Sequence, residues 1–86
     1  MKNFFNFNGT TKVSISGTNA STTIRASQYF RLVSDTDCFI NVGAAATTSK
    51  GYLPANTIET IFVGSSTTIQ CITAGATGSL YITPLI

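Results

Sequence analysis

Apolar and polar residues alternate along most of this chain with a period of two residues. This spacing puts every second side chain on one face and is typical of a β-strand that is buried on one side. Thr, Val, Ile, Tyr and Phe dominate the alternating segments, whereas strong helix formers are few, so we expect essentially no helix. The alternating apolar positions are Val13 and Ile15; Phe30 and Leu32; Cys38, Ile40 and Val42; Ile58 and Phe62; Ile69 and Cys71; and Leu80 and Ile82.

Turn-forming sequences rich in Gly, Asn, Asp and Ser separate these segments. Eight short antiparallel strands can close a core only as two packed sheets or as a small barrel. We expect a single antiparallel β-sandwich domain over residues 1–86 with jelly-roll topology, because the long connection 43–57 can cross from one sheet to the other. The predicted strands are 3–7, 11–16, 22–26, 29–33, 38–42, 58–63, 68–73 and 79–83.

The two prolines fit this arrangement, since proline cannot donate to a ladder and lies at the ends or edges of strands. Pro54 is expected to bend the chain into the strand that starts near Ile58, and Pro84 is expected to end the last strand. Neither proline is expected inside a ladder.

The first ten residues, MKNFFNFNGT, carry three phenylalanines and end with an Asn-Gly pair before a threonine. Asn-Gly between strand-like residues is the strongest short signal for a two-residue hairpin turn. In such a hairpin Phe4 joins the core face, while Phe5 and Phe7 share the opposite face with Lys12. Two exposed phenylalanines side by side usually mark an interface. Phe5, Phe7 and Lys12 are therefore the candidate partner-interface residues.

The alternative for residues 1–10 is a contact arm without a hairpin, in which all three phenylalanines anchor the chain to a neighbouring subunit. The hairpin predicts that replacing Phe5 and Phe7 together by serine weakens assembly with little loss of the fold. It also predicts that Phe4→Ala destabilises the fold by about 3 kcal/mol or more.

Charged residues are scarce: five basic and three acidic residues make up 9% of the chain, against about 25% in ordinary domains. The polar surface is expected to consist instead of hydroxyls from 24 Ser and Thr residues, which cost less than charges to desolvate at a protein contact. A domain of 86 residues has a thin core and is commonly stabilised by oligomerisation. These features indicate a protein that associates with itself or with other proteins.

Other classes of partner are poorly supported. The net charge of +2 is spread over separate basic residues and forms no basic stripe, so we expect no nucleic-acid partner. No apolar stretch is long enough for a signal peptide or a membrane span, so we expect no membrane partner and a reducing compartment.

Catalytic patterns are missing from the sequence. There is no histidine to act as the base for a Ser or Cys nucleophile. Ser49 and Lys50 are adjacent, but they lie in a loop sequence of Gly, Thr and Ser. Asp35 and Asp37 are expected to bond their own backbone in a β-turn rather than to bind calcium. We therefore expect no enzyme activity, no metal and no cofactor.

Cys38 and Cys71 lie in separate apolar segments and lack the short C-x2-C spacing of a zinc site. A free cysteine in such a segment behaves as a small buried hydrophobe. We expect two buried thiols, with a disulfide between them as the less favoured alternative.

From residue 29 onward the chain reads YFRLVSDTDCFINVG, then a loop of small residues, then LPANTIETIFV, STTIQCIT and GATGSLYITPL. This order of elements resembles the small β-sandwich virion structural proteins of tailed bacteriophages. The resemblance covers about two thirds of the chain, and its most specific parts are the LPAN turn (53–56) and the LYITP strand (80–84).

The resemblance implies a capsid decoration or head accessory protein without enzymatic activity. It implies a homo-oligomer, with a trimer favoured, that binds the major capsid protein or another virion protein. Such a protein is found in the virion after assembly in the cytoplasm of a bacterial host. The alternative is a glycan-binding module of a phage tail or spike, for which Tyr29, Tyr52 and Tyr81 are the candidate platforms for sugar rings.

Overall fold

The computed structural model describes residues 9–85, and this part of the chain contains eight strands and no helix. All strand pairs are antiparallel, and the strands form two sheets, which confirms the predicted all-β sandwich. The strands are β1 (Thr11–Ile15), β2 (Ala20–Thr23), β3 (Tyr29–Ser34), β4 (Cys38–Val42), β5 (Gly51–Leu53), β6 (Glu59–Phe62), β7 (Thr68–Ile72) and β8 (Gly78–Leu85).

The strand order is that of a jelly roll. Sheet A has the order β1-β8-β3-β6 and sheet B the order β2-β7-β4-β5. The pairing is nested, since β1 pairs with β8, β2 with β7, β3 with β6 and β4 with β5. Such nesting arises when one long hairpin of four strand pairs is rolled up, as in a jelly roll. The remaining pairs, β3 with β8 and β4 with β7, join the two halves of each sheet.

Most strands lie where the alternation predicts them. β4 coincides with the predicted strand 38–42, whereas β2 begins at Ala20 instead of residue 22. Ala20 and Thr22 are the inward positions of β2, opposite Cys71 and Ile69, and their small side chains give little apolar alternation. The predicted strand 3–7 lies outside the described residues.

The prediction that residues 43–57 form a crossover without a strand is wrong, because this segment contains β5. β5 forms a hairpin with β4, in which Tyr52 lies opposite Phe39. The chain crosses to sheet A only after β5, through a turn in which Asn56 has a φ of 61°. A strand of three residues shows too little alternation to be recognised in the sequence.

Pro84 lies inside β8 rather than at its end, so that prediction is also wrong. The N–H of Asp35 donates to the carbonyl of Ser79 at 3.1 Å, so these two residues form a hydrogen-bonded pair between β3 and β8. Hydrogen-bonded and non-hydrogen-bonded pairs alternate along an antiparallel ladder, which makes Phe30–Pro84 a non-hydrogen-bonded pair. By that alternation the nitrogen of Pro84 faces β1. The position opposite Pro84 is Gly9, which precedes the first residue of β1, so no ladder bond is lost.

The core lies between the sheets and consists of the inward side chains of both. Leu32, Leu80 and Ile82 of sheet A pack with Leu53 and Ile69 of sheet B, and all five are 2% exposed or less. Alternation along each strand puts these side chains inside and leaves the other face of each sheet outside.

Cys38 and Cys71 are free thiols on the inner face of sheet B, which confirms the predicted buried thiols. Cys71 lies opposite Ile40, so Cys38 is its diagonal neighbour on the adjoining strand. Diagonal Cα atoms are about 7–8 Å apart, beyond the reach of a disulfide. Burial, with a smaller contribution from the Cys38 thiol, raises the pKa of Cys71 to about 12. Burial also raises the pKa of Cys38.

Candidate interaction surface

Alternation along the strands of sheet A puts every second side chain on the side away from the core. We refer to this outer surface as the sheet-A face. Ile58, directly before β6, follows the same alternation. The face consists of Lys12, Ser14, Tyr29, Arg31, Val33, Ile58, Thr60, Phe62, Ser79, Tyr81, Thr83 and Leu85. Two of these residues, Thr83 and Leu85, are buried although they lie on this side of the sheet.

The most exposed apolar part of the sheet-A face lies along β6. Tyr29 and Phe62 are register partners, and their ring centres are 4.9 Å apart with the ring planes tilted by 50°. Tyr29 is 50% exposed, Phe62 54% and Ile58 58%. Large apolar side chains that share one face and remain half in water are typical of a surface that another protein covers.

Lys12 lies on the sheet-A face at the opposite edge. It is exposed and lies opposite Tyr81, whose other neighbour is Val33. Ile15 is buried and Val13 packs against the core, so the predicted inward and outward sides of β1 are confirmed.

The predicted partners of Lys12 fall outside the described residues. Gly9 has a φ of 86°, which a type I′ turn requires and which glycine adopts without strain. Phe4, Phe5 and Phe7, and with them the other half of the hairpin, lie before the described part. The hairpin and the contact arm therefore both stay predictions.

The centre of the sheet-A face is mostly polar but carries little charge. Arg31 lies between Thr60 on one side and Thr83 on the other. The hydroxyl of Thr83 shares a 2.9 Å hydrogen bond with that of Thr10. Lys12 and Arg31 are the two charged residues of the face. Thr83 is already buried in the single chain, whereas Thr60 is exposed, so the part of this centre that another protein can cover lies towards β6. A hydroxyl costs less to desolvate there than a charge would.

The chain's own loop 43–50 packs onto the outer surface of sheet B. Ala46 in this loop is buried, and its N–H donates to Oδ1 of Asn19 at 2.8 Å. Asn41, which points outward from β4, donates through Nδ2 to the carbonyl of Ala45 at 3.2 Å. Sheet B therefore has part of its outer surface covered within one molecule.

Asp35 and Asp37 accept backbone hydrogen bonds from distant parts of the chain. Oδ1 of Asp35 accepts the N–H of Ser79, and Oδ1 of Asp37 accepts the N–H of Ala55, each at 2.8 Å. The prediction that these carboxylates accept hydrogen bonds from the backbone of their own turn is therefore wrong, because the donors belong to other segments of the chain. The hydroxyl of Ser34 bonds the backbone of this turn instead, which leaves both carboxylates to bond neighbouring segments.

Other candidate groups are also engaged locally. The hydroxyl of Ser49 bonds the hydroxyl of Thr47 at 2.9 Å, and the backbone N–H of Lys50 donates to the carbonyl of Thr47 at 3.0 Å. Within residues 9–85, no three His, Cys, Asp or Glu side chains are placed to share a metal ion.

The three candidate sugar platforms do not form one site. Tyr29 and Tyr81 are both on the sheet-A face, but Tyr81 lies at the level of Val33, four residues along β3 from Tyr29. Tyr52 is on the outer surface of sheet B, where its ring centre is 5.3 Å from that of Phe39. The tyrosines are thus divided between opposite sides of the sandwich.

An apolar cleft of about 310 Å³ opens between the sheets at the edge strands β5 and β6. Leu32, Leu53 and Ile61 line it, and Glu59, which lies opposite Leu32, is exposed at its mouth. A single carboxylate beside an apolar cleft provides neither an acid/base pair nor a set of metal ligands.

Comparisons with protein families, with curated proteins and with solved structures find no match for this chain. None of the segments between residues 9 and 85 forms a helix that is long and apolar enough to cross a membrane. Residues 9–85 form a small jelly-roll domain whose sheet-A face carries little charge and exposes Tyr29, Ile58 and Phe62 at the β6 edge.

Proposed function

We propose that the chain is a non-enzymatic structural protein of a phage virion, a capsid decoration or head accessory protein that self-associates and binds the capsid shell. The observation that carries this proposal is the sheet-A face. It combines exposed Tyr29, Phe62 and Ile58 with a centre of hydroxyls, and it has only two charged side chains.

The shape of the sheet-A face favours a large partner over a small molecule. Sites for small molecules are concave, whereas the outer side of a sheet is broad and shallow. Its side chains project from regular strands, which hold them in place before a partner arrives. A preformed surface of this kind loses little conformational entropy on binding.

The class of partner comes from the resemblance of residues 29–86 to phage virion proteins. That resemblance supports the major capsid protein or another virion protein as the partner, and a virion location after assembly in the bacterial cytoplasm. Jelly rolls occur in viral capsid proteins, in lectins and in cupins, so the fold agrees with the proposal without specifying it. The resemblance favours a trimer, whereas the open edge of β6, described below, favours a dimer.

The test is co-sedimentation of the purified protein with empty shells of the virus whose genome encodes it. We expect saturable binding that Lys12→Glu weakens at least about tenfold, since it places a carboxylate on the contact face. Lys50→Glu is the matched control, because Lys50 is also exposed but belongs to the loop beside sheet B. A protein that stays in the supernatant at every shell concentration would contradict the proposal.

The glycan-binding alternative has its own signature. A bound sugar stabilises the fold by RT ln(1 + [L]/Kd), and the effect disappears when the tyrosine that holds the sugar is replaced. We expect no rise in melting temperature with a panel of bacterial surface glycans. A sugar-dependent rise that Tyr29→Ser or Tyr81→Ser abolishes would replace shell binding by glycan binding.

A further inference from the structure

The backbone groups on the open edge of β6 can be assigned from one hydrogen bond. The N–H of Val63 donates to the carbonyl of Gln28 at 3.1 Å, and this pair continues the β3–β6 register. Antiparallel pairs alternate between hydrogen-bonded and non-hydrogen-bonded, so Tyr29–Phe62 is a non-hydrogen-bonded pair. Phe62 and, two residues earlier, Thr60 therefore direct their N–H and C=O groups away from β3.

This edge is open within the described part of the chain. β6 is the last strand of sheet A, and residues 58–60 and Phe62 are all exposed. The devices that usually protect an edge strand are lysine, proline and bulges, and the sequence ETIF of β6 contains neither lysine nor proline. Its one charged residue, Glu59, lies on the other alternation, at the mouth of the cleft.

We propose that β6 pairs antiparallel with β6 of a second copy of this chain, around a twofold axis at Thr60. When two identical strands join one sheet in this way, opposite residues must lie on the same face. Residues on one face of a strand are either all even-numbered or all odd-numbered, so the numbers of two opposite residues add up to an even number. With Thr60 opposite Thr60, Ile58 lies opposite Phe62 of the second copy. The inference rests on the self-association in the proposed function and not on shell binding.

The neighbouring registers are less favourable. Moving the axis to residue 59 puts Glu59 directly opposite Glu59 of the second copy, and like charges in that position are destabilising. Moving it to Ile61 puts Ile58 opposite Gly64 of the second copy, which lies beyond the end of β6 and has no side chain to pack against. The register at Thr60 avoids both problems, because it joins the two exposed apolar residues across the axis and places the two threonine hydroxyls side by side.

The size of the contact sets the expected affinity. Covering the outer parts of Ile58 and Phe62 in both copies removes on the order of 400 Å² of apolar surface from water, while about six backbone hydrogen bonds form across the axis. Stable interfaces bury upwards of roughly 1,200 Å². We therefore expect a reversible dimer that dissociates on dilution, with one sheet-A face running continuously across both copies.

The experiment is sedimentation equilibrium of the full chain over a wide range of concentration. Wild type is expected to approach twice the chain mass of 9.1 kDa. Thr60→Pro removes an N–H that points to the open edge and leaves the β3 ladder intact, so we expect dimerisation to weaken at least about tenfold. Ser14→Pro is the matched control, because the N–H of Ser14 points away from β8, to the side of β1 that has no partner strand among residues 9–85.

A second variant guards against a folding defect in Thr60→Pro. Ile58→Lys changes a side chain that is 58% exposed and lies outside the ladder, so the circular dichroism spectrum should stay that of the wild type. It places a charge opposite Phe62 of the second copy and is also expected to weaken the dimer at least about tenfold.

Loss of the dimer in Thr60→Pro and Ile58→Lys, with the dimer retained in Ser14→Pro, supports edge pairing. A monomer at all concentrations, a trimer, or a dimer that neither variant weakens would overturn it. A trimer that binds shells would refute edge pairing alone, and a dimer that ignores shells would refute shell binding alone.

Discussion

Tyr29 and Phe62 face each other across β3 and β6 with ring centres 4.9 Å apart, and about half of each side chain remains exposed. The pair lies on the outside of the sandwich and so contributes little to the core. Ile58, directly before β6, lies on the same face, with Thr60 between it and Phe62. This combination of local order and exposure makes β6, within residues 9–85, a suitable place for contact with another chain.

Phe62→Ser should weaken self-association at least about tenfold while costing the monomer only about 1 kcal/mol, the usual value of an aromatic pair. Tyr52→Ser is the matched control, since Tyr52 is equally exposed and also forms a ring pair, but on sheet B. Sedimentation and urea denaturation measure the two effects. Equal loss of association in both variants would contradict a role specific to β6.

Gly78→Ala should destabilise the fold by about 1–3 kcal/mol, because a Cβ at residue 78 would overlap Oδ1 of Asp35 and lie 2.6 Å from Cγ2 of Thr36. Asp35 cannot move aside freely, since it holds the N–H of Ser79. The control is Gly17→Ala, whose Cβ would meet its nearest atom at 3.5 Å. Urea denaturation should separate the two variants, and equal stabilities would show that this contact is not tight.

Alkaline pH should destabilise the protein through Cys71. The thiol titrates near 9.0 when unfolded but holds its proton to about pH 12 in the fold. Between these values the unfolded state binds fewer protons than the folded state. The unfolding free energy therefore falls as pH rises, by up to about 1.4 kcal/mol per pH unit for this thiol.

Urea denaturation below and above pH 9 measures this slope, and Cys71→Ala provides the control. The variant should lose part of the fall in stability, because alanine has no proton to release. A slope that is the same in wild type and variant would mean that Cys71 does not remain protonated in the fold.

The alternation in the sequence predicts the sandwich well because a sheet buried on one side needs an apolar residue at every second position. It predicts β4 and the inward side of β1, at Val13 and Ile15. It fails for β5, where the ladder with β4 rather than any local pattern makes three residues a strand. Short elements of this kind depend on partners that are distant in sequence.

The interaction surface could be predicted only in part. Lys12 could be predicted to face outward, because it lies on the other alternation of β1 from the apolar residues Val13 and Ile15. The prediction that Ile58 and Phe62 are the apolar positions on the buried side of this strand is wrong, because both are exposed and Ile61 and Val63, on the other alternation, face the core. Which pair faces outward depends on the register with β3, and that register is set by the whole sheet. The available signal was that this strand carries large apolar residues on both alternations, so that one of the two pairs had to face outward.

The central claim is that the sheet-A face is covered in the assembled particle, and hydroxyl-radical footprinting of the three tyrosines tests it most directly. Tyr29 and Tyr81 lie on this face, whereas Tyr52 lies on the outer surface of sheet B. We expect shell binding to protect Tyr29 and Tyr81 from oxidation and to leave Tyr52 as reactive as in the free protein. Protection of Tyr52 alone, or unchanged oxidation of all three, would contradict the account.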